Sequence, residues 1–192
     1  MITTIDKNTA LVLIDLQKMI VQLPVAHPVD SILKNSAKLV AAFREAKLPV
    51  AVVNVNPIGS VAFSTRKNSN PAARAALPDD FLDIDPEIIV EEGDIRITKK
   101  TWNAFYQTAL HNELQKRGIT QIVLAGIATS IGVEGTARAA NEFGYNIAFA
   151  SDAMTDMFAD AHDNSFKYIF PRIGEVGTTE EIVGKLGGLD SK

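Results

Sequence analysis

Short apolar runs alternate with amphipathic helical stretches along almost the whole chain, and this alternation constrains the fold more than any other feature. TALVLID (9–15), PVAVVNV (49–55), DIRITK (94–99), TQIVLAG (120–126) and YNIAFAS (145–151) read as strands, with a short sixth near 173–176. Between and after them, 31–47, 104–118, 131–144, a stretch near 160–170 and a segment from about 179 carry apolar residues at helical spacing. Continuous apolar strands are buried on both faces, and strands alternating with helices form parallel βαβ units. The expected fold is therefore α/β: a single three-layer, Rossmann-like domain with a parallel, six-stranded sheet spanning residues 1–192. With 192 residues, 46% of them hydrophobic, the chain can bury one full core, and no second domain is read.

Composition removes several functions. A net charge of −4 argues against nucleic acid as a partner. The chain has no cysteine, which excludes disulfides, thiolate metal sites and a cysteine nucleophile at once. No apolar stretch approaches the roughly 18 residues that a membrane span needs, and the first residues do not read as a signal peptide. The expectation is a cytoplasmic protein that binds no membrane, uses no cofactor and acts on a small molecule. Apolar residues in the long loop and the tail suggest a homo-oligomer, a dimer or tetramer.

In a parallel sheet the residues that end the strands share one edge, where ligands bind. Asp15 ends the first strand, Lys99 the third, and Gly132 lies where the fourth hands over to a helix. A carboxylate, an ammonium and a helix start thus converge on one crevice, although each alone could be a cap or a solvated charge. Adjacent strand residues face opposite sides, so only one of Lys99 and Lys100 is expected in the crevice. The segment 56–81 fits neither pattern, and a loop that long at the ligand edge is usually functional. In it Phe63 is expected to pack over the pocket or a partner subunit, and Trp102 is read as a pocket aromatic. The stretch NVNPIG after the second strand has no histidine pair, so no metal site is expected. His111 is read as a surface residue, His162 as structural and Glu134/Arg138 as a surface ion pair.

The segments LVLIDLQ, ITKKTWNAF, VLAGIATSIGVEGTARAANEFGYNIAFASDAMTD and FPRIGEVGTTEEI, in that order, resemble the isochorismatase-like (cysteine hydrolase) superfamily. The resemblance implies a catalytic triad of Asp15, Lys99 and the position held here by Gly132, where most members carry cysteine. It also implies a non-proline cis peptide at Ile127–Ala128. Amidases of the superfamily need the thiolate, which this chain lacks. True isochorismatases also have glycine there and hydrolyse a vinyl ether with the Asp as acid, which is the activity the resemblance implies. Substrate contacts carry over to Asn56, Arg66 and Trp102, and to the turn residues Ile127, Ala128 and Thr129. Ala128 replaces an expected tyrosine, so the frame matches while the substrate-facing side chains differ. A binding or scaffold member that lost catalysis is the alternative, and retention of both Asp15 and Lys99 argues against it.

Overall fold

The computed structural model describes residues 1–61, 65–68 and 77–188. Six strands form one sheet: β1 (Thr9–Ile14), β2 (Val50–Val55), β3 (Ile95–Lys99), β4 (Gln121–Ile127), β5 (Asn146–Thr155) and β6 (Glu175–Gly177). Their spatial order is β3-β2-β1-β4-β5-β6, and every pairing is parallel. The chain winds outward from β1 to β3, then returns to the other side of β1 for β4. The order therefore reverses between β1 and β4, and the crevice outside that reversal is where such sheets bind ligands.

Seven helices connect or flank the strands among the described residues: α1 (Lys18–Val21), α2 (Val29–Glu45), α3 (Leu110–Lys116), α4 (Glu134–Glu142), α5 (Ala159–Asn164), α6 (Phe170–Ile173) and α7 (Thr179–Leu186). The central strands β1 and β4 are buried at every position, whereas β3, at the sheet margin, alternates buried and exposed residues. Alternate residues of β1 enter two cores, one on each face of the sheet. Leu11 and Leu13 pack with Leu39 and Phe43 of α2 and Ile182 of α7. Val12 and Ile14 pack with Leu114 of α3, Ala137 of α4 and Phe170 of α6. Two cores separated by one sheet make the three layers that the alternating pattern implies. No helix among the described residues is long and apolar enough to cross a membrane.

Three element boundaries differ from the sequence reading. The expected helix 104–118 is helical only at Leu110–Lys116. Asn103 Oδ1 accepts from the Phe105 N–H, Thr108 Oγ1 bonds the Ala104 carbonyl, and Gln107 has φ 55. Short polar side chains here satisfy the backbone locally and displace helical bonding. The helix expected near 160–170 divides into α5, a π-type turn over 165–169 and α6, because Pro171 lacks the N–H needed to continue it. The fifth strand runs past Ser151 to Thr155 after a register shift against β4 between Leu124 and Gly126. That extension brings Asp156 to the ligand edge.

Candidate active site

β1 delivers Asp15 one residue past its last strand position. Asp15 takes up a left-handed conformation, φ 53, which Asp tolerates better than most residues. Its N–H still donates to the Val53 carbonyl of β2, so the backbone stays tied to the sheet while the side chain leaves it. Lys99, the last residue of β3, reaches back to the carboxylate: Nζ donates to Asp15 Oδ2 at 2.6 Å and to the Thr101 carbonyl at 3.1 Å. Both side chains are almost wholly buried, at 7% and 2% exposed. The other carboxylate oxygen, Oδ1, is buried without a hydrogen-bond partner among the described residues. Burial lifts the Asp15 carboxyl from 3.8 to about 6, against the opposing pull of the Lys99 charge and hydrogen bond.

β4 supplies the third component. At Gly126 the strand has φ 124, and a Cβ there would lie 2.0 Å from the Ile14 carbonyl oxygen. Only glycine permits this close crossing. Next comes the cis peptide Ile127–Ala128, then a π-type turn, Thr129–Val133, which leads directly into α4. A Cβ on Gly132 would meet Ile14 Cγ2 at 2.9 Å, Asp15 Oδ2 at 3.2 Å and Lys99 Nζ at 3.6 Å. The turn thus lays its backbone against the ion pair, and a side chain on Gly132 would press on Ile14 and on Asp15. Thr136 Oγ1 donates to the Gly132 carbonyl and accepts from the Ala104 N–H, tying the turn to the segment beyond β3.

Asp15, Lys99 and Gly132 line one cavity of about 400 Å³. Its other walls are mainly apolar and include Leu23, Trp102, Ile131 and Met157. A larger depression of about 580 Å³ lies under the outer end of the sheet, by Asn54 and Arg96, but contains neither member of the ion pair. Chemistry, not volume, therefore selects the smaller cavity.

The residues that end β1, β3 and β4 thus meet at one face of the sheet. Residues 9–181 match the Isochorismatase domain family. The chain belongs to the isochorismatase family. The isochorismatase family protein YecD of Escherichia coli O157:H7 is 41% identical over 184 residues, covering 94% of this chain and 97% of that one. The isochorismatase family protein YwoC of Bacillus subtilis is 41% identical over 182 residues, covering 92% and 93%. Among solved structures, an isochorismatase family protein from Burkholderia thailandensis superposes with a TM-score of 0.90. It is 39% identical and covers 96% of this chain and 98% of its own. The family is one of hydrolases, and this isochorismatase-family chain differs from its cysteine-bearing members in having no thiol at all.

The family frame sorts the remaining expected site residues. Trp102, Ile127 and Ala128 line the cavity with the ion pair. Thr129 does not: it is buried, and its hydroxyl shares a 2.8 Å hydrogen bond with His162 Nδ1. Asn56 uses its side-chain oxygen to accept from the Ile58 N–H two residues on, forming its own turn, and is not among the lining residues. Arg66 is exposed and is not among the lining residues, although its neighbour Lys67 is. Phe63 lies outside the described residues.

Lys100 lines the same cavity as Lys99. Alternation of strand faces predicted only one lysine there, but β3 ends at Lys99 and the chain bends over 100–102, so alternation no longer applies. Asp156 was also missed. Its Oδ2 accepts from both the N–H and the hydroxyl of Ser130, at 2.7 and 2.8 Å, pinning the turn that carries Gly132. The signal was available: a buried Asp at the end of a strand, as for Asp15, once β5 is extended to Thr155. His111 is not a plain surface residue, since it stacks on Phe143 at 4.0 Å and shares a hydrogen bond with the Tyr145 hydroxyl. The Glu134–Arg138 pair is present, but Glu134 is largely covered and also accepts from Ser165.

Proposed function

We propose that this isochorismatase-family hydrolase acts without a thiol and cleaves a vinyl ether, such as an enolpyruvyl group, or a related bond of a small molecule, with Asp15 as general acid. The observation that carries the reading is the Asp15 carboxyl: raised to about 6, buried, and with one oxygen unpartnered in a cavity where Gly132 leaves no nucleophile. A carboxyl with a pKa near the working pH is suited to proton donation.

The reaction follows from these groups. Lys99 occupies Oδ2, so the transferable proton resides on Oδ1. Asp15 protonates the terminal carbon of the enol ether, and the electron pair of the double bond forms the new C–H bond. The ether carbon becomes an oxocarbenium ion. Water adds to it and returns a proton to Asp15. The resulting hemiketal then collapses to an alcohol and a ketone, pyruvate in the enolpyruvyl case. No covalent enzyme intermediate is formed, which accords with glycine at position 132. The cytoplasmic setting and homo-oligomeric assembly expected from the sequence belong to the same proposal.

The alternative is a binding member of the family, in which the buried pair is structural because either charge alone would be costly to bury. One panel separates the two: enolpyruvyl ethers, assayed by release of pyruvate, beside matched amides and esters. Turnover of an ether that is lost in Asp15→Asn supports the proposal. No turnover of any member of the panel favours the binding role, and turnover of amides but not ethers would contradict the vinyl-ether reading.

A further inference from the structure

The turn that carries Gly132 is gripped by side chains that take no part in the reaction drawn above. Asp156 holds Ser130, and His162 of α5 holds the neighbouring Thr129. Thr129 is wholly buried, and its hydroxyl meets His162 Nδ1 at 2.8 Å. A second histidine faces the first: the ring centroids of His27 and His162 lie 4.6 Å apart. His27 Nδ1 meets the Thr155 hydroxyl at 2.9 Å, and that hydroxyl accepts from the His27 N–H. Both rings border a small cavity of about 210 Å³. There α2 brings only Ser31, Ile32 and Asn35, and β5 brings Ser151, Met154 and Asp152, whose Oδ1 is taken by Thr179. Asp163 on α5 and Asp156 beyond β5 favour a charged His162. Burial and the facing His27 outweigh them and hold it below the ordinary histidine range.

A neutral imidazole can accept at Nδ1 from a hydroxyl, and a protonated one can only donate. If His162 accepts from Thr129, charging the ring forces the buried hydroxyl to turn its proton away from that partner. It also sets a cation against a second imidazole at 4.6 Å, where two charges repel. We propose that His162 is a positioning residue: as a neutral imidazole it accepts from Thr129 and holds the turn that carries Gly132, and charging the His27–His162 pair in mild acid releases that turn. The inference rests on the turn being part of the site and not on the bond that is cleaved.

Trp102 is the only tryptophan in the chain, and a Cβ on Gly135, at the start of α4, would stand 3.3 Å from its Cβ. Its fluorescence therefore reports movement where the turn enters α4. The test takes the intact protein from neutral to mildly acid pH. Long-range proton–nitrogen spectra of the imidazoles are expected to place the neutral His162 proton on Nε2, with a midpoint below that of an ordinary histidine. In His27→Asn that midpoint rises, because the facing charge is gone. Trp102 fluorescence is expected to step with the His162 titration. Asp15 titrates in the cavity that Trp102 lines, so the step is also read in Asp15→Asn, where it persists. His162→Asn offers Thr129 an oxygen acceptor that cannot be charged, so it keeps the neutral spectrum and loses the acid step. His162→Ala shifts the spectrum already at neutral pH. A neutral His162 with its proton on Nδ1, a step absent from the parent or surviving in His162→Asn, or an unshifted His162→Ala overturns the proposal. The imidazole spectra need no variant, so they decide even where a substitution prevents folding. No bond is broken in any of these measurements, so the result stands or falls apart from the vinyl-ether reaction.

Discussion

Placing a side chain on Gly132 tests the geometry of the whole site. The backbone there is not left-handed, so alanine meets no φ penalty and would ordinarily stabilise by about 0.4–1 kcal/mol through the unfolded chain. Contact opposes this. The new Cβ would stand 2.9 Å from Ile14 Cγ2 and 3.2 Å from Asp15 Oδ2. Ile14 is fully buried on the last position of β1, and Asp15 is fixed by Lys99, so neither can swing aside. Overpacking of a close-packed site costs about 1–3 kcal/mol. The net for Gly132→Ala is a loss of roughly 1–2 kcal/mol, or about 2–8 °C in Tm for a domain of this size. The larger effect falls on activity. Relief of the clash moves the turn or the ion pair, and a misplacement of about 1 Å can cost 10²-fold. Gly132→Cys carries a bulkier side chain into the same space, so it should block the native reaction and add at best feeble amidase activity. The assay is thermal unfolding of both variants, followed by turnover of enol ethers and amides. Gly184→Ala on α7 is the control: a Cβ there meets nothing within 4 Å, so it should stabilise slightly, as alanine does on an exposed helix. A Gly132→Ala variant as stable and active as the parent would refute the close contact. Strong amidase turnover in Gly132→Cys would identify the protein as a decayed amidase.

If Asp15 is the general acid, as proposed, its acid form is the active one, and kcat/KM should rise as pH falls through about 6 and drop about tenfold per unit above it. Asp15→Asn should lower turnover at least 10²-fold while the protein still folds; a rate that is flat across that range refutes the assignment. Lys99 holds the Asp15 carboxyl down against burial, so Lys99→Met should move the activity profile to higher pH and cost about 3–5 kcal/mol of stability if Asp15 stays charged. An unmoved profile would mean that the two groups are not coupled. Asp156→Ala frees the turn at Ser130 and should lower kcat; equal kcat would show that the turn holds itself.

Much of this protein was legible before any coordinates. The alternation of periods points to parallel βαβ units, because strands that are apolar on both faces and alternate with amphipathic helices are buried between two helical layers. Asp15, Lys99 and Gly132 were legible as neighbours around one cavity, since strand ends in a parallel sheet share an edge whatever the details of packing. What the local pattern could not reach were contacts made across the sheet. Lys100 joins the cavity because β3 stops one residue earlier and the chain bends, and strand alternation says nothing past a strand's end. Thr129 and Asn56 look like site residues in sequence, but hydrogen bonds to His162 and to the Ile58 N–H occupy their side chains. Asp156 was hidden because the register shift that extends β5 depends on Gly126 crossing β1. The order of the strands and the residue types at their ends are properties of the chain. The Asp15 acidity and the shape of the cavity arise only when Lys99, Ile14 and the Gly132 turn are packed together, because burial and charge act through space and not along the sequence.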